Sequence, residues 1–229
     1  MSATGRRVEF LVLILVLLTT AFGGEAKRTP ARDLGISKTY TQSARVFDEV
    51  VDLKDLDQGV GHFLLNTINK CRDRAKEQGK SPQSIAGMGG NWLEYAVLIA
   101  LKERKLTPAY WQAEFTAVPA NFNDVMLFSK EHGPIILSCK TSLRERYKQA
   151  DLEAVALRPQ FPQGKFFLIT LDEDKTHVAR IRKKIVEKEL LALQSLYDET
   201  NMDELFALLK TMTLIEPAVK VLKSAKVVR

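Results

Sequence analysis

Cysteine is scarce. Cys71 and Cys139 are the only two in 229 residues, too few for a disulfide scaffold and without metal-ligand spacing. Histidine is almost as rare, and His62, His132 and His177 lie far apart. A His/Cys zinc site and a hydrolase built on a local Ser-His-Asp or Cys-His motif are both disfavoured by that scatter. The sequence has no repeats, no low-complexity segment and no excess of acid. Its formal net charge is +6 and its pI about 9.2, which favours a polyanionic partner such as nucleic acid or an anionic membrane surface. A long hydrophobic run is also missing. The most apolar stretch, residues 10–24, has 15 residues, and a spanning helix needs roughly 20. What remains is 45% hydrophobic and 27% charged, the balance of one ordinary globular domain able to bury a core without staples.

The apolar run follows Arg6 and Arg7 and precedes Lys27 and Arg28. A short apolar run behind a basic start resembles the h-region of a secretory signal, with Ala21-Phe22-Gly23 as a cleavage site. A short membrane anchor, a mis-assigned start codon and an apolar helix tucked into the fold or a dimer interface are the competing readings. The expected organisation is a signal-like or membrane-anchor segment over residues 1–26, a basic arm over 27–58 and a folded domain over 59–229. A signal would make the protein secreted or membrane-anchored, in contact with membrane at its N-terminus.

Within the arm, Pro30 and Gly35 argue against a continuous helix, and a short helix is expected over 43–53. Residues 59–79 read as a helix with Val60, Phe63, Leu64, Ile68 and Cys71 on one face. The GMGG run at 87–90 reads as a turn, with Asn91 capping a buried helix over 92–105. It lacks the Lys-Ser/Thr of a P-loop and follows no strand. Strands are expected over 110–118, 122–130 and 134–140, the last two joined as a hairpin by Glu131-His132-Gly133. A basic helix over 141–157, a strand over 165–171, a helix over 175–191, a strand over 192–197 and a helix over 201–211 follow. The last should turn Met202, Leu205, Leu208 and Leu209 inward. This order predicts an α/β fold, a mixed sheet with helices on both faces.

Chemistry concentrates in residues 122–153. Along the second hairpin strand Ser138 and Lys140 share one face, while Cys139 points into the core. An ammonium ending a buried apolar strand needs a partner, and Asp124 lies at the same end of the hairpin. A carboxylate beside a lysine suits phosphodiester hydrolysis, in which carboxylates hold Mg²⁺ and the lysine steadies the attacking water or the phosphate. One carboxylate is rarely enough. Glu94 on the preceding helix, and Glu145, Asp151 and Glu153 after Lys140, are the further acids on offer. On the basic helix Leu143, Tyr147, Ala150, Ala154 and Leu157 form the inner stripe, with Ser142, Arg146, Gln149 and Glu153 beside it. Arg144 and Lys148, four apart on a more exposed side, suit phosphate contacts. The plain readings are a structural Asp124–Lys140 pair, a solvated helix face and a core cysteine.

Asp124 followed by Ser138-Cys139-Lys140 is similar to the acid–hairpin–lysine pattern of the PD-(D/E)XK nucleases, and among them of type II restriction endonucleases. Asn123 stands where that family often has Pro, and Ser138 where most members have Asp or Glu. The EcoRII/NgoMIV branch also tolerates Ser here and draws the missing carboxylate from a Glu about one helix further on. Glu153, thirteen residues after Lys140, fits that place, and CKTSLRERYKQ (139–149) resembles the same branch. Glu94 matches an extra helix acid. FFLITLDED (166–174) and the 195–198 strand end resemble the closing part of such folds. The likeness covers roughly residues 60–210.

The resemblance implies a restriction-endonuclease-like fold and a Mg²⁺-dependent, site-specific cut in double-stranded DNA by a cytoplasmic homodimer. It implies metal binding by Asp124 and Glu153, with Ser138 and Glu94 at the site, and catalysis helped by Lys140. DNA contacts would come from Arg144, Glu145, Arg146 and Lys148, since Arg pairs bidentately with guanine and Glu accepts from cytosine. A secreted or anchored non-specific nuclease, and a catalytically inactive DNA-binding protein of the same fold, are the alternatives.

Overall fold

The computed structural model describes residues 28–36 and 39–229. The expectations for residues 1–26 lie outside these. Among the described residues no helix is long and apolar enough to cross a membrane. In chain order the elements are α1 (Pro30–Asp33), α2 (Gln42–Val50), a 3-10 helix (Leu53–Gln58), α3 (Val60–Glu77), α4 (Pro82–Glu103), β1 (Ala109–Phe115), β2 (Val118–Ser129) and β3 (Gly133–Lys140). Then come α5 (Arg146–Leu157), β4 (Lys165–Thr170), α6 (Lys175–Val186), β5 (Ser195–Tyr197), α7 (Met202–Lys210) and β6 (Leu222–Val228).

Strand β3 fixes the architecture. It is buried along its length after Gly133, so both of its faces must be covered. Ile135, Leu137 and Cys139 enter one core, and Ile136 enters another. The strands lie in the order β5-β4-β3-β2-β1-β6. Pairing is antiparallel from β6 to β3 and parallel from β3 to β5. This is the expected mixed sheet. On one face α1–α4 and α7 pack Phe47, Phe63, Leu64, Trp92, Leu93 and Leu205 against Val125, Leu137 and Cys139. On the other, α5 and α6 pack Tyr147, Ala150, Ala154 and Ile181 against Ile136, Phe166 and Leu168. Each fully buried large side chain contributes on the order of 1.5–3 kcal/mol.

Several local expectations differ from what is observed. Residues 28–36 and 39–58 are built into the domain rather than extending as an arm, since Ala31, Leu34, Val46, Phe47 and Leu56 lie in the first core. The buried Asp48 carboxylate pins α1, accepting from the N–H groups of Ala31 (2.7 Å) and Arg32 (3.2 Å) and from the Tyr40 hydroxyl (2.9 Å). GMGG is not a turn but the middle of α4. That helix starts earlier, at Ser81, whose hydroxyl accepts from the Ser84 N–H, with Pro82 in its first turn. None of the three glycines has a positive φ. Each costs about 1 kcal/mol against Ala in a helix interior, a cost offset by burying the helix all round from Trp92 to Leu101.

The basic helix starts at Arg146, not at residue 141. The Leu143 N–H donates to Asp172 Oδ2 at 2.6 Å, and Arg144 takes a left-handed φ of 30°, so the chain turns before it coils. Arg144 and Lys148 are therefore not helical neighbours, and Ser142 lies outside the helix. Helix α6 stops at Val186, and Lys188 has a φ of 59°. Residues 191–193 cannot join a strand because their N–H groups donate to the Asp151 carboxylate at 2.8–2.9 Å. Asp151 is thus a structural residue. In α7 Leu208 is exposed and Phe206 is buried. Strand β6, which no sequence expectation foresaw, closes the sheet beside β1.

Candidate active site where two central strands part

The β2–β3 ladder runs from Ser129↔Gly133 to Val125↔Leu137 and ends there. Beyond it β2 continues on β1, with Asn123 opposite Ala113, while β3 continues on β4 as far as Lys140↔Thr170. The gap is bridged by a side chain. Asp124 Oδ2 accepts from the Cys139 N–H (2.8 Å), the Lys140 ammonium (2.7 Å) and, more distantly, the Ser138 hydroxyl (3.4 Å). Three donors converge on that one oxygen. The ammonium is nearly inaccessible, its side chain 5% exposed against 15% for Asp124. Burial holds the Cys139 thiol well above its usual range, which suits a core residue and not a nucleophile.

Two further carboxylates, on helices of opposite layers, act electrostatically on this point. Glu94, buried on α4, accepts from Trp111 Nε1 and from Gln112 Nε2 (3.0 Å). Burial first, and then repulsion by Asp124, push its carboxyl up to about 7, against the pull of its two donors and of Lys140. Glu153, half-buried on α5, accepts from Gln149 Nε2 at 2.7 Å. Its carboxyl is also raised, chiefly by burial, and it interacts with both Lys140 and Asp124. Glu145, the competing second acid, points elsewhere. It pairs with Lys148 at 2.5 Å on an exposed flank and interacts with His177.

Asp124, Ser138 and Lys140 are therefore in direct contact, with Glu94 and Glu153 in electrostatic range. Arg144 and Arg146 lie together on the lip of a groove beside Thr141, apart from the Glu145–Lys148 pair. Among the described residues no group of three or more His, Cys, Asp or Glu is gathered tightly enough to hold a metal ion. The donors nonetheless suit Mg²⁺, which takes hard oxygen ligands and is commonly bound by one or two carboxylates together with water and substrate phosphate.

Sequence patterns did not mark the residues that hold this arrangement. Thr170 Oγ1 donates to the Lys140 carbonyl (2.8 Å), and Asn121 Nδ2 to the Glu153 carbonyl (3.1 Å). Asp172 fixes the loop ahead of α5 through Leu143. Gln112 reaches Glu94 from a backbone with φ 50°, a bulged position where the β1 register shifts. Polar residues on strands otherwise apolar, Asn121 and Thr170 among them, are the one signal that could have singled out any of them.

No protein-family model matches the chain, and no curated protein matches it. Among solved structures, the chain is similar to one titled "Restriction endonuclease PspGI-substrate DNA complex", with a TM-score of 0.48 and 12% identity over 80% of this chain and 96% of that one.

Proposed function

We propose that this protein is a Mg²⁺-dependent endonuclease of the type II restriction class, resembling the EcoRII/NgoMIV branch, that hydrolyses phosphodiester bonds in double-stranded DNA. The observation that carries the reading is the Lys140 ammonium held 2.7 Å from Asp124 Oδ2 where two central strands part. A buried ammonium–carboxylate pair is costly to maintain, and here it sits at an open sheet end with acids approaching from both layers. Asp124 and Glu153 would hold Mg²⁺, with Ser138 and Glu94 adjoining. The ion, when bound, supplies charge for the scissile phosphate and acidifies a water. Lys140 orients that water or the phosphate, and Asp124 orients Lys140. Glu94, titrating near neutrality, can accept or release a proton beside them. Arg144 and Arg146, exposed cations in the groove beside Thr141, would contact the duplex, as would Glu145 and Lys148. A homodimer would cut both strands of a two-fold site.

Plasmid cleavage in Mg²⁺ tests this. The wild-type protein should linearise or fragment plasmid with uniform ends, and Lys140→Ala and Asp124→Ala should lose nearly all cutting. Near-normal activity in either variant refutes the assignment. Ragged ends would favour a non-specific nuclease, and duplex binding without cleavage a catalytically inactive DNA-binding protein.

A further inference from the structure

A groove of about 640 Å³ opens beside Thr141, the residue after Lys140. Five cations line it, and no carboxylate does. Arg144 and Arg146 come from the loop and first turn leading into α5, and Arg72, Lys76 and Lys80 come from α3 and its end. The floor is apolar, made of Pro82, Ile85 and Ala86 at the start of α4.

The α3 cations are regularly placed. Residues 72 and 76 are four apart on one helix face, about 6 Å along its axis. Lys80 is fixed by the helix terminus. Gly79 takes a φ of 71°, and the Lys80 N–H turns back to the Ala75 carbonyl at 3.0 Å, a Schellman-type closure. The opposite wall is held by the Leu143–Asp172 bond. Arg72 donates to Glu173 and Lys76 to Asp73, each at 2.8 Å, but both carboxylates are exposed (83% and 69%). Such bridges are weak and readily exchanged for a polyanion. Arg146 also interacts with Glu153, and Thr141 in the groove wall directly follows Lys140, so the groove lies beside the candidate active site.

We infer that this groove is a phosphate track. The sugar–phosphate backbone of one DNA strand, leaving the scissile position, would run through it over Arg72, Lys76 and Lys80, its deoxyribose against the apolar floor. This inference rests on the proposed nuclease reading for its ligand and assigns α3 a binding role. The spacing favours a polymer over a free nucleotide, because residues 72, 76 and 80 follow one another along α3 and its end, spread over roughly 12 Å at 1.5 Å per residue. The contacts read charge and not sequence.

The test is the salt dependence of duplex binding, measured by fluorescence anisotropy in EDTA, where no cleavage occurs. Each neutralised phosphate contact steepens the log–log salt slope by about 0.9. The combined Arg72→Gln, Lys76→Gln, Lys80→Gln variant should therefore lose roughly 2–3 from the slope. It should weaken binding to unrelated duplexes equally, while circular dichroism melting stays as in the wild type. Lys183→Gln, on α6, is the control and should leave the slope unchanged. A triple variant with the wild-type slope overturns the phosphate track, and the nuclease reading then still stands or falls on plasmid cleavage. A reduced slope in a protein that never cuts DNA supports the track and refutes the nuclease. Wild-type protein that binds no duplex overturns both.

Discussion

Removing Asp124 should damage stability more than removing Lys140, although either change should abolish cleavage. In Asp124→Ala the ammonium of Lys140, 5% exposed, loses its one hydrogen-bonded carboxylate among the described residues, and the Cys139 N–H loses the carboxylate that replaced a strand partner. Stranding a buried charge in this way costs about 3–5 kcal/mol, which includes the orphaned amide. For a domain of this size that is a fall in Tm of roughly 6–20 °C. Lys140→Met leaves a different remainder. Asp124 keeps the Cys139 N–H and the Ser138 hydroxyl, and its side chain is 15% exposed to water. Its cost should stay below about 2 kcal/mol. Combining Asp124→Ala with Lys140→Met removes the stranded charge, so the double variant should be more stable than Asp124→Ala alone. Urea denaturation followed by tryptophan fluorescence, in EDTA, measures all four corners of the cycle. The reasoning is refuted if Asp124→Ala unfolds within about 1 kcal/mol of the wild type, or if the double variant is no more stable than that single one.

The same geometry fixes the outcome of other substitutions. The Glu94 carboxyl lies at about 7 in the folded protein against an ordinary 4.5. The folded state binds that proton more tightly, so this contribution is complete below about pH 4.5 and is lost as pH rises through 7. Its size is roughly 3 kcal/mol, and Glu94→Gln should flatten the metal-free stability profile between pH 5 and 8, whereas superimposable profiles would show that Glu94 ionises freely. Ser138→Asp sets a second carboxylate against Asp124, and like charges so close cannot both ionise comfortably. Its Tm should fall in EDTA and rise more steeply with Mg²⁺ than that of the wild type, and an equal response to the ion would remove this position from the metal site. Glu153→Gln should cut cleavage by roughly 10²-fold or more, and Asn121→Ala, which removes a side-chain donor from the helical Glu153 carbonyl, by about 10–100-fold. Because Glu145 faces Lys148, Glu145→Gln should lose less than Glu153→Gln under the same assay, and a reversed order would make Glu145 the second acid.

The parts of the site that were readable from sequence are those joined over short distances. Asp124 and Lys140 lie on a hairpin whose register is set by one short turn, so the alternation of Ile135, Leu137 and Cys139 against Ser138 and Lys140 was enough to bring them together. The elements that depart from local pattern share a different cause. Residues 141–145 have a helical pattern yet form a loop, because the bond that uncoils them comes from Asp172, 29 residues from Leu143. Residues 192–194 have a strand-like pattern yet stay outside β5, because Asp151, 40 residues or more away, takes the N–H groups of residues 191–193. GMGG has the local propensity of a turn, which says nothing of the buried helix that continues through it. Strand β6 escaped notice because it is an edge strand that faces solvent along most of its length, without the alternation that marks a half-buried one. The same distinction bears on the site. The hairpin supplies one acid and one lysine by local rules, whereas Glu94 and Glu153 arrive on helices from opposite faces of the sheet. Their approach depends on how both layers pack, and so does any metal-binding capacity beyond Asp124. A substitution that shifts α5 against the sheet, without touching the hairpin, should therefore weaken the proposed metal site while leaving the Asp124–Lys140 pair intact.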